Sequence, residues 1–290
     1  MTGRPGRRAG LALGALAWLW AQAPGDAGAA TLRAETLQAW DAYVAATEGR
    51  IARELAVPSA FLITDRLEGS ARARACIIAG AVPIAPMTTA GADGAPLATS
   101  VPGGFVSHWR GSIYLPGIRL DDLLRRLQHP DEHAPHQEDI LGIRVLARRL
   151  DRLRLSIRMA RRSIVSVTYD TEHEVAYSRD GPLRASSRSV ATRIVEIDRP
   201  GTADEIARPE GHDQGFLWRL NSYWRYEQVS GGVIVELESL TLSRSIPFGL
   251  GAIVRPIVDR IARDSIARTL GSLREAHAPS GNDAPAKACQ

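Results

Sequence analysis

Residues 245–277 read SIPFGLGAIVRPIVDRIARDSIARTLGSLREAH, and this stretch constrains the chain most. Leu250, Ile253, Val254, Ile257, Val258, Ile261, Ile266, Leu270 and Leu273 recur at three- and four-residue steps, so they share one face of a helix. Arg260, Arg263, Asp264, Arg268, Arg274 and Glu275 fall mostly on the other side. Pro256 has no N–H to give the preceding turn; it either opens the main helix at its first turn or kinks one that starts near Phe248. The most strand-like residues of the chain stand directly before this helix. A long amphipathic helix that follows a run of antiparallel strands needs an apolar surface to cover, and a curved sheet wrapped around it supplies one.

The strands can be read by their alternation. In the first, Trp109, Gly111, Ile113 and Leu115 alternate with His108, Arg110, Ser112 and Tyr114, and Pro116-Gly117 closes it. A short helix follows, with Leu120, Leu123, Leu124 and Leu127 on one face, and then a polar link bracketed by Pro130 and Pro135. Two alternating runs come next; the second points Leu153, Leu155, Ile157 and Met159 inward and Arg152, Arg154, Ser156 and Arg158 outward. Residues 164–177 form a long strand with Val165, Val167, Tyr169, Val175 and Tyr177 on one face, and residues 186–197 form another. Residues 198–215 hold Pro200-Gly201, Pro209 and Gly211 and read as a loop. The last two strands, 216–228 and 233–243, are joined by Ser230-Gly231-Gly232, a tight-turn signal.

Residues 31–105 read as an extension with too few apolar residues for a core of their own. A helix over 31–55 carries Leu37, Trp40, Tyr43, Val44, Ile51 and Leu55 at helical spacing, with Thr31 and Thr36 as candidate caps. Residues 71–85 suggest a strand through Cys76, Ile77, Ile78, Val82 and Ile84, and 85–104 a loop. Ahead of the extension, Arg4, Arg7 and Arg8 precede an apolar run from Ala9 to Ala23 and then Ala27-Gly28-Ala29, the pattern of a cleaved signal peptide over residues 1–30, with Ala30 as an alternative end. An uncleaved anchor is the competing reading. Residues 278–290 read as a disordered tail. The expectation is therefore an exported protein, periplasmic or secreted.

The formal charge is +4, and losing Arg4, Arg7, Arg8 and Asp26 would lower it by two, to +2. Lys287 is the single lysine, and the arginines are interleaved with acids, which speaks against a nucleic-acid footprint. Of the two cysteines, Cys289 stands in the polar tail, and Cys76 reads as a small buried hydrophobe.

This order of elements is similar to the START-like, or Bet v 1-like, superfamily of polyketide cyclases and lipid-transfer domains. The likeness spans residues 106–276 and rests on three stretches. They are Trp109-Arg110-Gly111-Ser112-Ile113-Tyr114-Leu115-Pro116-Gly117; the hairpin Trp218-Arg219-Leu220-Asn221-Ser222-Tyr223-Trp224-Arg225-Tyr226 with Gly231-Gly232-Val233-Ile234-Val235-Glu236-Leu237-Glu238-Ser239; and Ile246-Pro247-Phe248-Gly249-Leu250-Gly251. The resemblance implies an α+β helix-grip fold: about seven antiparallel strands curved around the long C-terminal helix, over residues 106–277, with the N-terminal helical extension added. It also implies a cavity between sheet and helix for a lipid or other small apolar ligand. The residues expected to line it are Trp109, Tyr169, Trp218, Tyr223, Trp224, Tyr226, Leu250, Val254, Ile257 and Ile261. No cofactor is implied. A cyclase-, aromatase- or hydrolase-like enzyme using the same cavity, or a structural domain with a filled core, are the alternatives.

Three constellations could carry chemistry, each with a plainer reading. His129, His133 and His136, among four carboxylates, could hold a metal, but Pro130 and Pro135 break the helix that would align them, which leaves a solvated link. His212-Asp213 could act as an acid/base pair, though adjacent residues rarely converge, and Asp213 could simply stabilise a turn. Glu236 and Glu238 share a strand face with Ile234, Leu240 and Leu242; pointing inward they would need Arg193, Arg219 or Arg225, and pointing outward they would form ordinary ion pairs with them. The arginines at 152, 154, 158, 161 and 162 form either a solvated row or a surface that meets lipid phosphates in transient membrane contact. There is no G-x-S-x-G, P-loop, C-x-x-C or H-E-x-x-H, which excludes the common hydrolase, nucleotide-binding, redox and zincin motifs.

Overall fold

The structure is a computed structural model that describes residues 32–132, 139–162, 166–209, 212–245 and 251–277. The expected signal peptide, the C-terminal tail, Leu250, His133 and His136 lie outside the described residues, as do the side chains at 162 and 251–254. In chain order the elements are α1 (Ala34–Leu55), α2 (Ser70–Ile78), β1 (Ile84–Pro86), β2 (Ser100–Val101), β3 (Gly104–Pro116), α3 (Leu120–Gln128), β4 (Ile140–Arg149), β5 (Arg152–Arg162), β6 (Ser166–Arg179), β7 (Arg184–Asp198), β8 (Ile206–Ala207), β9 (Arg219–Val229), β10 (Gly232–Arg244) and α4 (Gly251–Glu275).

All ten strands belong to one antiparallel sheet, in the order β1-β3-β10-β9-β7-β6-β5-β4, with β2 beside β3 and β8 beside β7. β1, β2 and β8 are only two or three residues long, so seven long strands carry the sheet. β3, the first long strand, pairs with β10, the last, along thirteen register positions. α4 then lies across β3 and β1. This is the α+β helix-grip architecture.

The period of two in each strand sorts the side chains onto two faces. On the helix face, Trp109, Ile113 and Leu115 of β3, Val233, Val235 and Leu237 of β10 and Tyr226 of β9 form one core with Leu120, Leu123 and Leu124 of α3 and Ile266 and Leu270 of α4. Gly111 lets the helix come close: a Cβ there would stand 2.7 Å from Ile266 Cγ2 and from Leu270 Cδ1. The Ser230-Gly231 turn joins β9 to β10, with Gly231 at φ +80°. The next residue, Gly232, runs so close to β3 that a Cβ would lie 2.2 Å from the Leu115 carbonyl oxygen. Pro256 sits five residues inside α4, so the helix begins ahead of the proline.

On the back face the N-terminal extension packs onto the sheet. Trp40 and Tyr43 of α1 join Val106, Trp218, Tyr223, Leu240 and Leu242, while Phe61, Leu62 and Ile77 cover Ile234. Three expectations for the extension change. Residues 70–78 are helix α2, and only 84–86 are strand, because the apolar side chains there must cover one patch of the sheet's back and a helix turn does so with Ile77 alone fully buried. The N-cap of α1 is Arg33, whereas Thr36 lies inside the helix and donates to the Pro102 carbonyl at 2.6 Å. Cys76 is half-buried and disulfide-bonded rather than a free core residue; the one other cysteine, Cys289, lies outside the described residues.

Candidate functional site

Two buried polar arrangements flank the sheet, and their charge balance differs. On the back face, Glu236 and Glu238 are each 1% exposed. Glu236 accepts from the backbone N–H groups of Ile63 (2.5 Å) and Thr64 (3.0 Å), from Thr64 Oγ1 (2.5 Å) and from Ser112 Oγ (3.2 Å). Glu238 accepts from Arg50 and contacts His108 Nε2 at 2.8 Å; His108 Nδ1 in turn meets the Tyr43 hydroxyl at 2.9 Å. A carboxylate only accepts, so Nε2 carries a proton and donates to Glu238. Arg50 and Arg225 both donate to Glu54, at 2.9 and 2.5 Å, and Arg225 also donates to the Phe61 carbonyl at 2.8 Å. Burial alone would raise the Glu54 carboxyl, but the Arg225 and Arg50 guanidiniums beside it hold it below the usual range. Two arginines answer Glu54 and Glu238, and backbone donors answer Glu236. The arrangement is a charge-paired clamp that fastens the extension to the sheet, with Arg50 Nε and Glu238 Oε2 left without a hydrogen bond.

The helix face divides in two. Over β3, β10 and β9, α4 packs tightly through Ala262, Ile266, Leu270 and Leu273. Over β5–β7 the floor consists of two apolar clusters, Leu153-Leu155-Val175 and Met159-Val167-Tyr169, with Ile157 packed against both. Among the described residues neither cluster contains a residue of α4. Ile257, Val258 and Ile261 are half-buried and, among the described residues, pack into none of the sheet's clusters. Ile261 shares a helix stripe with Arg268, seven residues on, and Arg268 Nε donates to Asp139 at 2.7 Å beside β4. That stripe therefore looks toward β4 and β5.

Polar side chains are set into this floor. His173, 5% exposed, makes hydrogen bonds with Thr171 Oγ1 (3.0 Å) and Ser189 Oγ (3.4 Å), and burial pushes its imidazole down to about 4. It is neutral at physiological pH. Tyr169 is 2% exposed and its hydroxyl has no hydrogen-bond partner. Burial pushes that phenol well up. Arg161 stands on the same face, where desolvation holds its guanidinium below the ordinary arginine range.

The expected lining residues separate accordingly. Trp109, Trp224 and Tyr226 face α4 in the tight half, where Trp224 and Tyr226 stack with ring centroids 6.4 Å apart. Tyr169, Ile257 and Ile261 belong to the loose half. Trp218 and Tyr223 do not line the space under the helix: both lie on the back face, packed with Trp40 and Tyr43. The physical reason is register, since Tyr223 pairs with Glu238 and shares its face, and Trp218 precedes the strand. The side chain of Val254 and all of Leu250 lie outside the described residues.

His212, Asp213 and Glu236 do not form one site. His212 is exposed, and Asp213 Oδ1 accepts from Gly215 N (2.7 Å) and Trp218 Nε1 (3.0 Å), so it holds the turn that leads into β9. Glu236 is on the opposite face of the sheet from α4. His129 Nδ1 meets the Arg125 carbonyl at 2.8 Å at the end of α3; with His133 and His136 outside the described residues, no group of three metal-binding side chains is found among those described. Arg154 pairs with Glu172, and Arg158 makes ion pairs with Asp170 and Glu205 on the surface. Arg161, in the same row of arginines, faces the other way. The signal was present in the sequence: the two-residue period that turns Leu153 to Met159 inward carries Arg161 inward too.

No family model matches the chain, and no curated protein does so. The chain is similar in fold to START-domain lipid-transfer proteins and to aromatase/cyclases. A STAR-related lipid transfer protein from Xanthomonas axonopodis is 16% identical, with 63% of this chain and 97% of that one covered at a TM-score of 0.43. The lipid transfer and protein localization domain of human StarD13 is 9% identical, covering 67% and 90% at 0.40. The Zhui aromatase/cyclase from Streptomyces sp. R1128 is 10% identical, covering 61% and 99% at 0.35. The helix-grip architecture stands on the strand order and helix contacts described above and takes nothing from these likenesses.

Proposed function

We propose that this protein binds and carries a small apolar molecule between α4 and the β5–β7 half of the sheet. The observation that supports this is the unmatched apolar surface on both sides. Ile257, Val258 and Ile261 on the helix pack into none of the sheet's clusters, and the floor clusters at Leu155 and Met159 contain no described helix residue. Apolar side chains with no packing between them among the described residues favour an apolar guest. The polar groups there are few: His173 Nε2 meets Thr171 Oγ1, which donates to the Ile157 carbonyl, and neutral His173 adds no charge to repel such a guest.

We propose further that it works outside the cytoplasm. The disulfide at Cys76 supports this, since such bonds persist in oxidising compartments, and the arginines at 4, 7 and 8 ahead of an apolar run support it as well. Native mass spectrometry of protein recovered from the host's secreted or envelope fraction without detergent tests both readings. The expected result is retained mass released as an organic-extractable molecule. An unliganded mass, unchanged after incubation with a total lipid extract, would contradict carriage; recovery only from cytoplasm would contradict export.

A further inference from the structure

Two groups on the helix face are left without partners. Tyr169 has a fully buried hydroxyl with no hydrogen bond, although buried hydroxyls almost always find one. Arg161 lies diagonally across the β5–β6 ladder from it: Arg161 pairs with Val167, and Met159 pairs with Tyr169. Arg161 and Tyr169 therefore share a face within side-chain reach. Among the described residues no carboxylate is paired with the arginine. Asp139, the acid that acts on it, is already engaged by Arg268 at 2.7 Å, so two guanidiniums meet one carboxylate. Glu196, opposite Tyr169 on β7, is held by Arg208 at 3.2 Å and by the Gln214 N–H at 3.0 Å. Asp213, which also acts on Tyr169, accepts from Gly215 and Trp218. Among the described residues Arg161 has neither a hydrogen bond nor a salt bridge.

We infer that the Arg161 guanidinium and the Tyr169 hydroxyl are the head-group end of the ligand space, and that the ligand is an apolar chain or ring system bearing one oxyanion, a carboxylate or a phosphate monoester. The inference rests on the proposed binding function and adds its ligand class. An oxyanion there accepts from the half-buried guanidinium and from the buried phenol together, as charge-assisted bonds. The apolar part then runs over Met159 and Ile157 toward Leu155, beneath Ile257 and Ile261. His173, held by Thr171 and Ser189, and Thr171, which donates to the Ile157 carbonyl, make no demand on it.

The test is calorimetric titration of the full chain with hexadecanoate, hexadecyl phosphate and hexadecanol, each below its aggregation threshold. One or both anions should bind about 10- to 100-fold tighter than the alcohol, the range expected of a hydrogen bond to a charged group. Which anion is preferred identifies the head group. Arg161→Gln should shrink that preference to about threefold or less, and Tyr169→Phe, which keeps the ring's packing, should reduce it about 3- to 10-fold while leaving the alcohol's affinity in place. If Arg161→Gln does not fold, Tyr169→Phe carries the test alone. Equal binding of all three probes by the unaltered protein would overturn the inference and leave the apolar-carrier reading intact. Binding of none would remove both.

Discussion

The two faces of the sheet bury polar groups on different terms. On the back face each buried charge has an opposite charge or a donor beside it: Arg50 and Arg225 meet Glu54 and Glu238, and backbone N–H groups hold Glu236, although Arg50 Nε and Glu238 Oε2 make no hydrogen bond. On the helix face, over β5–β7, Arg161 and the Tyr169 hydroxyl stand unanswered. A network in which opposite charges already face each other fastens the extension to the sheet. An open one keeps binding capacity in reserve. The difference teaches that the number of buried carboxylates is a poor guide to the site; the unpaired group is the better one.

The comparison breaks most visibly if the clamp is cut. Glu238→Ala leaves Arg50 and His108 buried without their acid and should cost about 3–5 kcal/mol in urea unfolding. A cost below about 1 kcal/mol would show that the extension is held by packing alone.

The next effect is on pH. Burial lowers the folded-state pKa of His173 to about 4, against about 6.5 in the unfolded chain, so the unfolded chain takes up the proton first. The stability this contributes is full above the unfolded value and is lost as pH falls from about 6.5 to 4, by about 3 kcal/mol. Unfolding measured across that window for the parent and for His173→Gln should differ in slope, with the variant flatter. Parallel curves would mean that His173 takes up its proton in the folded state as easily as in the unfolded one.

Gly111→Ala probes the tight half of the helix face. Its Cβ would press Ile266 and Leu270, so about 1–3 kcal/mol should be lost, the usual cost of overpacking. Calorimetric melting gives the answer; an unchanged melt would mean that α4 shifts freely over β3. The smallest effect is expected from Tyr169→Phe in the unliganded protein. It removes an unpaired buried hydroxyl and should leave stability unchanged or raise it by about 1 kcal/mol. A clear loss would show that the hydroxyl has a partner in the resting fold.

Much of this was legible in the sequence. The alternation of Trp109 to Leu115 and Leu153 to Met159, the Ser230-Gly231 turn and the 3.6-residue period after Gly251 yield seven long strands and a gripping helix. The back face was not legible, because a buried glutamate and a solvated one look alike until the element above them is known. Ser70–Ile78 was misread for a related reason: a short apolar run through Ile77 has no period long enough to separate strand from helix. Trp218 and Tyr223 looked like cavity walls because they are aromatic, although their parity with Glu238 assigns them to the other side. Arg161 was hidden by the arginines around it, and only its odd-numbered place beside Leu153 and Met159 distinguishes it.

Hydrogen exchange of the full chain, alone and loaded with the preferred anionic probe, tests the central claim most directly. Added protection is expected in Arg152–Arg162, in Ser166–Arg179 and around Ile257 and Ile261, with Ala34–Leu55 and the back-face clamp unchanged. Protection confined to the N-terminal extension, or none anywhere with the probe bound, would place the ligand elsewhere and contradict the account.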